Sequence, residues 1–482
     1  MYVAPRQFIE GESRDAQAGA DPRFEVLNPA TEEVLAEVVP AGPPEVRAAL
    51  AAAERGFAAW RERSAWDRSG VLRRVARLMR EREEELALLL TLEVGKTLAE
   101  ARAEVAVSAD HFDWCADEAR RLYGYIADGR NASSRLEVTH EPVGIVLALT
   151  AWNFPINLAA RKLAMALSAG CAVIIRPAEE APASVEALVR CCHDAGVTPG
   201  AVNMLVGSAE TIVAPLMAEP AVRKVSFTGS TRVGKLLMRQ CAETVKRMTM
   251  ELGGHAPFIV LEDADIEAAA QVAVQAKFRN AGQVCTSPSR FYVQASVART
   301  FEQHAVARTL TMKVGDGRTP GVDMGPLATE RQRAHCERLV ADALAKGARL
   351  LCGGHRPSAL DRGYFFEPTV LGSVPRDAAI LAEEPFAPVL AICEIEDVED
   401  GIAQANGLEA GLSSYLFTRS AAHIALVSKR IEAGLLGINT AAVATPEGPF
   451  GGIKQSGFGR EGGEIGVREY LNTKFVHRVL TQ

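Results

Sequence analysis

A cysteine that closely follows a helical run is the residue of this sequence best suited to act as a nucleophile. Cys285 comes just after a glycine and a glutamine at positions 282 and 283. A thiolate at the end of a helix, facing a cleft, could attack a carbonyl carbon and form a covalent intermediate. The sequence has nine cysteines, however, and a free cysteine most often packs as a small buried hydrophobe. A catalytic role for Cys285 therefore depends on other stretches.

Two polar residues elsewhere in the chain could complete such a site. Asn153 follows an apolar run, and its side-chain N–H could donate to a developing oxyanion, although an Asx turn explains the residue equally well. Glu251 stands before Gly253 and Gly254. A carboxylate in an apolar, glycine-bordered position can act as a general base with a raised pKa, but such a glutamate is more often exposed.

Two strand-to-helix junctions have the composition of a nucleotide crevice. Gly229 and Gly234 flank the start of a helix, whose free N–H groups could bind a phosphate. Their spacing differs from G-x-G-x-x-G, and a tight structural turn is at least as good an explanation. Arg176 and Glu179 follow another strand, where an acidic side chain could accept hydrogen bonds from ribose hydroxyls and repel a 2′-phosphate. An ordinary charged helix start fits them too.

The composition is typical of a globular protein of several domains. Hydrophobic residues make up 48% and charged residues 23%, and the net charge of −7 provides no basic surface for nucleic acid. No apolar run is long enough to span a bilayer, and the first residues lack the apolar core of a secretory signal. An odd number of irregularly spaced cysteines argues against a disulfide framework. We expect a reduced, cytoplasmic setting without nucleic-acid or membrane partners.

Strands and helices alternate through most of the chain. Residues from Pro43 to about Tyr123 have apolar residues at helical spacing, and we interpret the charged faces of this region as solvated surface. The remaining elements are predicted as strands at Val143–Leu149, Ala172–Ile175, Ala201–Val206, Arg223–Phe227, Pro257–Leu261, Arg290–Gln294 and Val467–Val479, and as helices at Leu158–Leu167, Ser184–Asp194, Thr231–Lys246 and Asp265–Lys277. This alternation predicts a parallel, doubly wound sheet followed by a second α/β unit.

Taken together, the separate motifs resemble the aldehyde dehydrogenase superfamily, and the resemblance extends from about Phe24 to Val479. It is carried by six stretches that occur in this order: Asn153, Phe227–Ser230, Glu251–Gly254, Gly282–Cys285, Glu384–Pro388 and Phe450–Lys454. The resemblance implies an α/β fold of the aldehyde dehydrogenase type. Its parts are a Rossmann-type doubly wound cofactor domain, an α/β catalytic domain and a small β bridging or oligomerisation segment.

The same resemblance implies limits for these domains. Residues 1–121 and 142–252 correspond to the NAD(P)-binding domain, residues 253–464 to the catalytic domain, and residues 122–141 and 465–482 to the bridging segment. In the family the bridging segments pair across subunits. We therefore expect a homodimer or a homotetramer.

The family's mechanism assigns roles to five residues. Cys285, as a thiolate, attacks the aldehyde carbon, while the side chain of Asn153 and the backbone N–H of Cys285 hold the oxyanion. After hydride transfer to the nicotinamide, Glu251 activates the water that hydrolyses the thioester. Lys162 and Glu461 match positions proposed as proton relays. No metal is required.

The cofactor contacts that the resemblance implies are Thr150, Ala151, Trp152, Arg176, Ala178, Glu179, Gly229, Ser230, Gly234, Leu252, Glu384 and Phe386. Glu384 and Phe386 match the clasp on the nicotinamide ribose, and Ser230 matches a pyrophosphate contact. Glu179 matches the position at which an acid favours NAD over NADP. We expect NAD as the preferred cofactor, with some use of NADP.

Four positions depart from the usual family pattern. Arg176 stands in place of a lysine that touches the adenosine ribose, and the longer, forked side chain alters that contact. Ala151 and Ala387 replace a proline and a glycine near the nicotinamide. His255 stands where lysine or asparagine is common, and we interpret it as a hydrogen-bonded structural histidine.

For the substrate, the sequence most resembles succinate-semialdehyde dehydrogenases and related semialdehyde enzymes. In that subgroup the positions of Arg161 and Arg279 clamp a distal carboxylate, which guanidinium groups bind with two hydrogen bonds. An interdomain ion-pair role is the alternative. The subgroup's serine before Phe450 is missing, and Ala444 and Thr445 stand in that loop, where Thr445 could substitute. The altered loop leaves room for a longer semialdehyde or for a neutral aliphatic or aromatic aldehyde.

Three other functions are less well supported by the sequence. CoA-acylating members of the family generally lack the glutamate that Glu251 matches. A non-catalytic binding or structural relative would not need Cys285, Asn153 and Glu251 together. A cofactor-free cysteine hydrolase would leave the glycines at the strand-to-helix turn unexplained.

Overall fold

The computed structural model describes residues 2–17 and 21–479. Two large sheets, each with its own buried core, account for most of these residues. The α/β organisation predicted from the alternating pattern is confirmed. No helix of the described residues combines the length and the apolar character that a membrane span requires. All nine cysteines are free thiols in the structure.

The N-terminal part consists of two short hairpins followed by four helices. The strands are β1 Gln7–Ile9, β2 Glu12–Arg14, β3 Phe24–Leu27 and β4 Val34–Val38, and the helices are α1 Pro43–Arg61, α2 Ala65–Glu81, α3 Glu83–Val94 and α4 Leu98–Glu118. Helix α4 begins with a capping box, in which the Thr97 hydroxyl accepts from the Glu100 N–H and the Glu100 carboxylate accepts from the Thr97 N–H. The helical region predicted from Pro43 onward is confirmed.

The first α/β unit runs from residue 125 to residue 251. Its elements are β5 Tyr125–Asp128, β6 Ser134–Pro142, β7 Ile145–Leu149, α5 Pro155–Ala169, β8 Ala172–Arg176, α6 Pro182–Asp194, β9 Val202–Met204, α7 Ala209–Ala218, β10 Val222–Thr228, α8 Thr231–Ala242 and β11 Arg247–Glu251. Strands β9, β8, β7, β10 and β11 lie side by side and parallel, and β1 and β2 extend the sheet antiparallel at one edge.

Both faces of this sheet are covered, which explains the continuous apolar runs of its strands. Along β7, Val146 and Ala148 pack into a core with helices α2 to α6, whereas Ile145 and Leu147 face the opposite core with helices α1, α7 and α8. Because side chains alternate along a strand, one apolar segment contributes residues to two cores on opposite faces of the sheet. The doubly wound prediction is confirmed.

The second unit forms a seven-stranded sheet. Its elements are β12 Ala256–Val260, α9 Ile266–Phe278, β13 Pro288–Gln294, α10 Ala295–Thr309, α11 Glu330–Ala345, β14 Arg349–Cys352, β15 Thr369–Gly372, β16 Val389–Ile395, α12 Val398–Asn406, β17 Ala410–Gly411, β18 Ser413–Phe417, α13 Ala421–Arg430 and β19 Leu435–Ile438, with 3-10 helices at Arg279–Gly282 and Ala379–Leu381. The strand order is β14-β15-β16-β13-β12-β18-β19, and only the β14–β15 pairing is antiparallel in the described sheet.

The C-terminal part returns to the first unit. Its elements are β20 Ile453–Lys454, β21 Gly457–Phe458, α14 Gly463–Arg468 and β22 Leu471–Val479. Strand β21 pairs antiparallel with β11 at the edge of the first sheet. Strand β22 pairs antiparallel with β6, beside β5, in a separate three-stranded sheet. The functional division into cofactor-binding, catalytic and bridging domains stays a prediction.

Two predicted elements were wrong at one end. The tail strand begins at Leu471 and not at Val467, because Val467 and Tyr470 are buried in the core of the first unit at the end of a short helix. Helix α8 stops at Ala242 and not at Lys246, since Val245 adopts a left-handed conformation with φ 51°. The Lys246 ammonium group instead donates to the backbone carbonyls of Glu219 and Val222, where helix α7 connects to strand β10.

Candidate active site

A cavity of about 540 Å³ lies where the carboxyl ends of β7, β10 and β11 meet the loop after α9. Of the residues proposed for the site, it is lined by Ala151, Trp152, Asn153, Arg161, Gly229, Ser230, Glu251, Leu252, Arg279, Cys285, Glu384 and Phe386. The proposed residues outside its lining are Thr150, Lys162, Arg176, Ala178, Glu179, Gly234, Thr445 and Glu461. The structure thus brings thiol, amide, carboxylate and two guanidinium groups to one space.

The loop that carries Cys285 is held in a sparsely populated backbone conformation. Helix α9 ends at Phe278, seven positions before the cysteine, and Asn280, Ala281 and Gly282 have φ values of 49°, 52° and 77°. A left-handed alanine costs roughly 1–2 kcal/mol. At Gly282 a Cβ atom would lie 2.2 Å from the carbonyl oxygen of Ala387, so only glycine fits. Cys285 is therefore displayed by a strained turn rather than by the helix end that the sequence predicts.

The surroundings of Cys285 favour the protonated thiol over the thiolate. Burial raises its pKa well above the ordinary value, and the neighbouring Glu251 carboxylate acts in the same direction. The charges of Arg161 and Arg279 oppose these effects without outweighing them. Formation of the thiolate therefore needs a nearby group that accepts the proton.

Glu251 is such a group. It ends strand β11 with 2% of its surface exposed, and its Oε1 atom has no hydrogen-bond partner within residues 2–17 and 21–479. Burial raises the pKa of its carboxyl group to about 8, and the charge of Glu461 adds to the shift. The exposed, ordinary glutamate considered from the sequence is excluded. A buried carboxyl group that changes protonation near neutral pH is well suited to general-base chemistry.

Asn153 lies in the turn between β7 and α5, next to the Cys285 loop. Its side-chain Nδ2 donates to the carbonyl oxygen of Gln283 at 3.1 Å. Its own carbonyl oxygen accepts from the ammonium group of Lys96 at 2.8 Å and from Nδ2 of Asn280 at 3.0 Å. The turn is thus held by Lys96 of the N-terminal part and by Asn280 of the second unit, and its amide donor lies beside the loop that carries Cys285.

Lys162 and Glu461 form a buried ion pair below the cavity. The Ser226 hydroxyl is 3.1 Å from both the Lys162 ammonium group and Oε1 of Glu461, whose Oε2 atom has no partner. Burial pushes the pKa of Glu461 upward, but the charges of Lys162 and Arg161 and the hydrogen bonds outweigh it and lower the pKa. The lowered pKa favours the ionised form of Glu461, and its negative charge raises the pKa of the Glu251 carboxyl group.

The crevice between β7 and β10 has unsatisfied polar groups suited to a nucleotide. The hydroxyls of Thr150 and Thr228, at the ends of neighbouring strands, are buried without a hydrogen-bond partner in the part of the chain that the structure describes. Trp152 and Phe386 meet edge to face with ring centroids 5.7 Å apart. Glu384 accepts a hydrogen bond from the Gly254 N–H at 3.3 Å, and burial raises the pKa of its carboxyl group to about 7.

The start of helix α8 offers the most open anion site in this crevice. Ser230 caps the helix and is exposed, with its hydroxyl accepting from the Val233 N–H at 3.4 Å. Helices α5 and α6 start instead against buried carboxylates, Glu104 and Glu93, which accept their first N–H groups. Gly234 serves packing, since a Cβ atom there would lie 2.5 Å from the Leu252 side chain.

The residues predicted for the adenosine end are engaged with one another. Arg176 donates to the Gly207 carbonyl at 2.9 Å and to the Glu179 carboxylate at 2.6 Å. The side chain of Glu179 remains partly exposed. Ala178, which lies between these two residues in the sequence, is buried. The longer arginine is thus fixed in place, and the acid stays accessible beside it.

Arg161 and Arg279 project into the cavity from the two units. The Arg161 guanidinium lies over the Phe450 ring at 4.3 Å, and that of Arg279 lies over the Phe154 ring at 5.3 Å. Arg161 is only 5% exposed. Among the described residues its Nε atom has no partner, and its side chain makes one hydrogen bond, to Asn157 at 3.4 Å.

The loop before Phe450 places alanine, not threonine, at the cavity. Ala444 belongs to the lining, whereas Thr445 is exposed and lies outside it. The substitution of Thr445 for the missing serine is therefore not supported by its position. His255 is buried, with its ring nitrogens 2.8 Å from the Ser289 hydroxyl and 3.1 Å from the Ile380 carbonyl. Its interpretation as a hydrogen-bonded structural histidine is confirmed.

Sequence reasoning missed three charged residues at the start of α4, which it assigned to solvated surface. Glu100 and Glu104 line the cavity, and Lys96 is buried against Glu104. Glu100 accepts a hydrogen bond from the Asn280 N–H at 2.7 Å. The only available signal was the four-residue spacing of the two acids behind a capping threonine, which places both on one helix face.

A doubly wound sheet with a nucleotide-like crevice, joined to a half-buried thiol and a carboxyl group of raised pKa, defines an enzyme that can combine covalent thiol chemistry with a dinucleotide. The chain belongs to the aldehyde dehydrogenase family, whose model matches residues 16–476. It is accordingly an NAD(P)-dependent oxidoreductase that acts on aldehydes.

The chain is similar to proteins that act on different aldehydes. It is 43% identical to an NADP(+) succinate-semialdehyde dehydrogenase of Escherichia coli, over 97% of this chain and 96% of that protein. It is 44% identical to a 3-sulfolactaldehyde dehydrogenase of Pseudomonas putida, with the same shares covered. A crystal structure of a succinate-semialdehyde dehydrogenase from Burkholderia pseudomallei superposes with a TM-score of 0.96, at 41% identity, over 99% of this chain and 98% of that chain.

Proposed function

We propose that this chain oxidises an aldehyde that carries an acid group remote from the aldehyde carbon, such as succinic semialdehyde, to the carboxylic acid through a thioester on Cys285. The observation that carries the proposal is that Arg161 and Arg279 lie at the cavity without a carboxylate partner in the described part of the chain. Both line the cavity that holds Cys285, and neither forms an ion pair with a carboxylate in the described part of the chain. Arg161 is buried, whereas Arg279 is exposed. A buried guanidinium that no carboxylate contacts directly is costly, so an anionic group of the substrate would complete the site at Arg161, with Arg279 as a second donor.

The relatives agree with this substrate class without selecting one member. Succinic semialdehyde bears a carboxylate, and 3-sulfolactaldehyde bears a sulfonate. Two guanidinium groups fixed on aromatic rings can bind either anion through paired hydrogen bonds.

The chain's residues fit NAD(P). Thr150 and Thr228 have buried hydroxyls without partners, Glu384 lies beside the Trp152–Phe386 pair, and the N-terminus of α8 is open to a phosphate. These groups, with Ser230, would hold the dinucleotide. When bound, NAD(P) supplies the acceptor for the hydride that the substrate carbon loses.

The mechanism follows from the groups around the cavity. Glu251 takes the thiol proton, the Cys285 thiolate adds to the aldehyde carbon, and the Asn153 amide and the Cys285 backbone N–H stabilise the resulting oxyanion. Loss of hydride from that carbon leaves a thioester. Glu251 next loses this proton to solvent and, ionised again, takes a proton from water as the water attacks the thioester. The C–S bond then breaks, the acid leaves, and the departing sulfur takes the proton from Glu251, which returns the thiol. The Lys162–Glu461 pair offers a proton path behind Glu251.

The arginine clamp predicts a selective loss on substitution. We expect Arg161→Met and Arg279→Met each to lower kcat/KM for succinic semialdehyde by roughly 10- to 100-fold, because each removes charge-assisted hydrogen bonds of about 1.5–3 kcal/mol. Butanal should lose much less, because it responds only to the loss of the arginine charge near Cys285. Initial rates with both substrates measure the ratio. Arg290→Met is the control, since this buried arginine donates to backbone carbonyls outside the cavity. Equal losses for both aldehydes would refute the clamp.

Oxidation of a neutral aliphatic or aromatic aldehyde is the second candidate function. Ala444 favours it, because the cavity lacks a hydroxyl at the position where the semialdehyde subgroup has a serine. In that case Arg161 and Arg279 would serve packing on the rings of Phe450 and Phe154. The substitutions above would then fail to separate the two aldehydes.

We infer a preference for NAD over NADP from Glu179. Its partly exposed carboxylate would repel a 2′-phosphate, although the E. coli relative's name specifies NADP(+). Replacing Glu179 by glutamine should raise kcat/KM with NADP relative to NAD by about tenfold or more, because it removes the repulsion and frees Arg176 from its ion pair. Glu180→Gln, one position away, is the control. An unchanged ratio would show that Glu179 does not select the cofactor.

We also propose that the chain is a homodimer or homotetramer. The three-stranded sheet of β5, β6 and β22 exposes Tyr125, Ile126 and Phe475, which is unusual for large apolar side chains. Light scattering should give two or four times the 51.6 kDa chain mass. A stable single-chain mass would contradict the proposal.

A further inference from the structure

The start of helix α4 contains a buried ion pair that the mechanism above leaves without a role. Lys96 and Glu104 are in direct contact, and the side chains of both have 0% exposure. Transfer of two charges out of water is expensive, and a pair of apolar residues often stabilises a core as well or better. The presence of two charged residues at this buried position would be explained if they make directed hydrogen bonds that an apolar pair could not make.

Glu104 makes two of these bonds at the N-terminus of α5. Its Oε1 atom accepts from the N–H groups of Ile156 and Asn157, both at 3.1 Å. Phe154, the capping residue of α5, makes no side-chain cap bond of its own. Glu104 thus supplies from another helix the cap that the local sequence lacks.

Lys96 makes the third bond, to the turn immediately before that helix. Its ammonium group donates to the Asn153 carbonyl at 2.8 Å and lies 3.9 Å from the centre of the Phe154 ring. The pair therefore contacts three consecutive parts of one segment, which are the Asn153 carbonyl, the Phe154 ring and the first N–H groups of α5. The Asn153 side chain extends from this segment toward the Cys285 loop.

We propose that the Lys96–Glu104 pair is a positioning device that fixes the Asn153 amide where the oxyanion forms. The inference rests on the proposed function, because it takes Asn153 as the oxyanion donor. Neither charged residue needs to touch the substrate. The pair acts through the backbone, and its loss would let the turn move relative to Cys285 while the fold persists.

The chain contains a matched control for a purely structural cap. Glu93, on helix α3, is also buried and accepts from the N–H groups of Ala183 and Ser184, at 2.7 and 3.0 Å, at the start of α6. It caps a neighbouring helix of the same unit in the same way. It makes no hydrogen bond to the Asn153 turn.

The test compares Lys96→Met, Glu104→Gln, Glu104→Ala and Glu93→Ala in the full chain, each assayed below its own Tm with saturating NAD. We expect Lys96→Met and Glu104→Ala to lower kcat at least about tenfold, since a small misplacement of a catalytic group can cost up to about 100-fold. The KM for NAD and the rate of Cys285 alkylation by iodoacetamide should stay within about twofold. Glu104→Gln keeps an acceptor for α5 and should lie in between, and Glu93→Ala should lower Tm without lowering kcat.

Double variants with Asn153→Ala distinguish the positioning role of the Lys96–Glu104 pair from the oxyanion role of Asn153. If the pair acts through Asn153, Lys96→Met should cause little further loss of kcat once the amide is gone. Full kcat in Lys96→Met and Glu104→Gln, with Asn153→Ala still impaired, would overturn the positioning role alone. Full activity of Asn153→Ala would overturn the oxyanion role in the proposed function. If Glu104→Ala does not fold, Lys96→Met and Glu104→Gln still decide the question.

Discussion

Replacing Cys285 by alanine is expected to lower kcat for aldehyde oxidation by at least about 10⁴-fold, because removal of a covalent nucleophile removes the whole catalytic route. Binding of NAD should persist, since the proposed cofactor contacts lie on other segments. Steady-state rates and cofactor titration by fluorescence measure the two properties. Cys352→Ala is the control, because this cysteine is also partly exposed but lies on β14, outside the cavity.

Retention of substantial oxidation by the Cys285→Ala variant would contradict the covalent mechanism. It would mean that hydride leaves directly from a hydrated aldehyde or that another thiol takes over. The other eight cysteines are poor substitutes, since none of them lines the cavity.

Glu251→Gln is expected to separate the two halves of the reaction. Glutamine cannot take a proton from water, so we expect kcat to fall by roughly 10²- to 10⁴-fold. Some other base must accept the Cys285 proton for acylation to proceed, and raising the pH would supply it as hydroxide. Rapid mixing at high pH should then give about one NADH per chain, followed by very slow turnover. Hydroxylamine should release the acyl group as a hydroxamate and restore turnover.

The pH dependence of the wild-type enzyme provides an independent check on Glu251. Its carboxyl group has a pKa raised to about 8 by burial, and only the ionised form can act as a base. The hydrolysis rate should therefore rise as pH increases through about 8, and Glu251→Gln should lose this rise. A burst-free reaction of the variant at high pH, or an unchanged pH profile, would assign the base to another group.

The sequence predicted the chemistry of the site better than its geometry. Cys285, Glu251 and Asn153 stand in short motifs whose order along the chain resembles one family, and all three line one cavity. The alternating strands and helices of the first unit were predictable because buried parallel strands are continuous apolar runs. Helix ends were less predictable: α5 starts at Pro155 against a carboxylate contributed by Glu104, about fifty positions earlier.

Contacts between distant segments account for what the sequence did not reveal. The burial of Lys96 and Glu104 depends on a turn contributed by another part of the chain, and a helical pattern alone assigns such charges to solvent. The backbone of Gly282, in the left-handed turn before Cys285, packs against the Ala387 carbonyl, a contact that no local motif shows. Ala444 rather than Thr445 faces the cavity because a loop without periodic structure gives no register from which to predict orientation.

The central claim is that Arg161 and Arg279 select an aldehyde with a remote acid group. The most direct test is the ratio of kcat/KM for succinic semialdehyde to kcat/KM for butanal, measured with the unmodified chain and saturating NAD. Two guanidinium groups that both bind the acid predict a ratio of at least about 10², from two charge-assisted contacts of about 1.5 kcal/mol or more each. A ratio near or below one would contradict the claim and leave an aldehyde dehydrogenase for neutral substrates, whose cavity arginines serve packing.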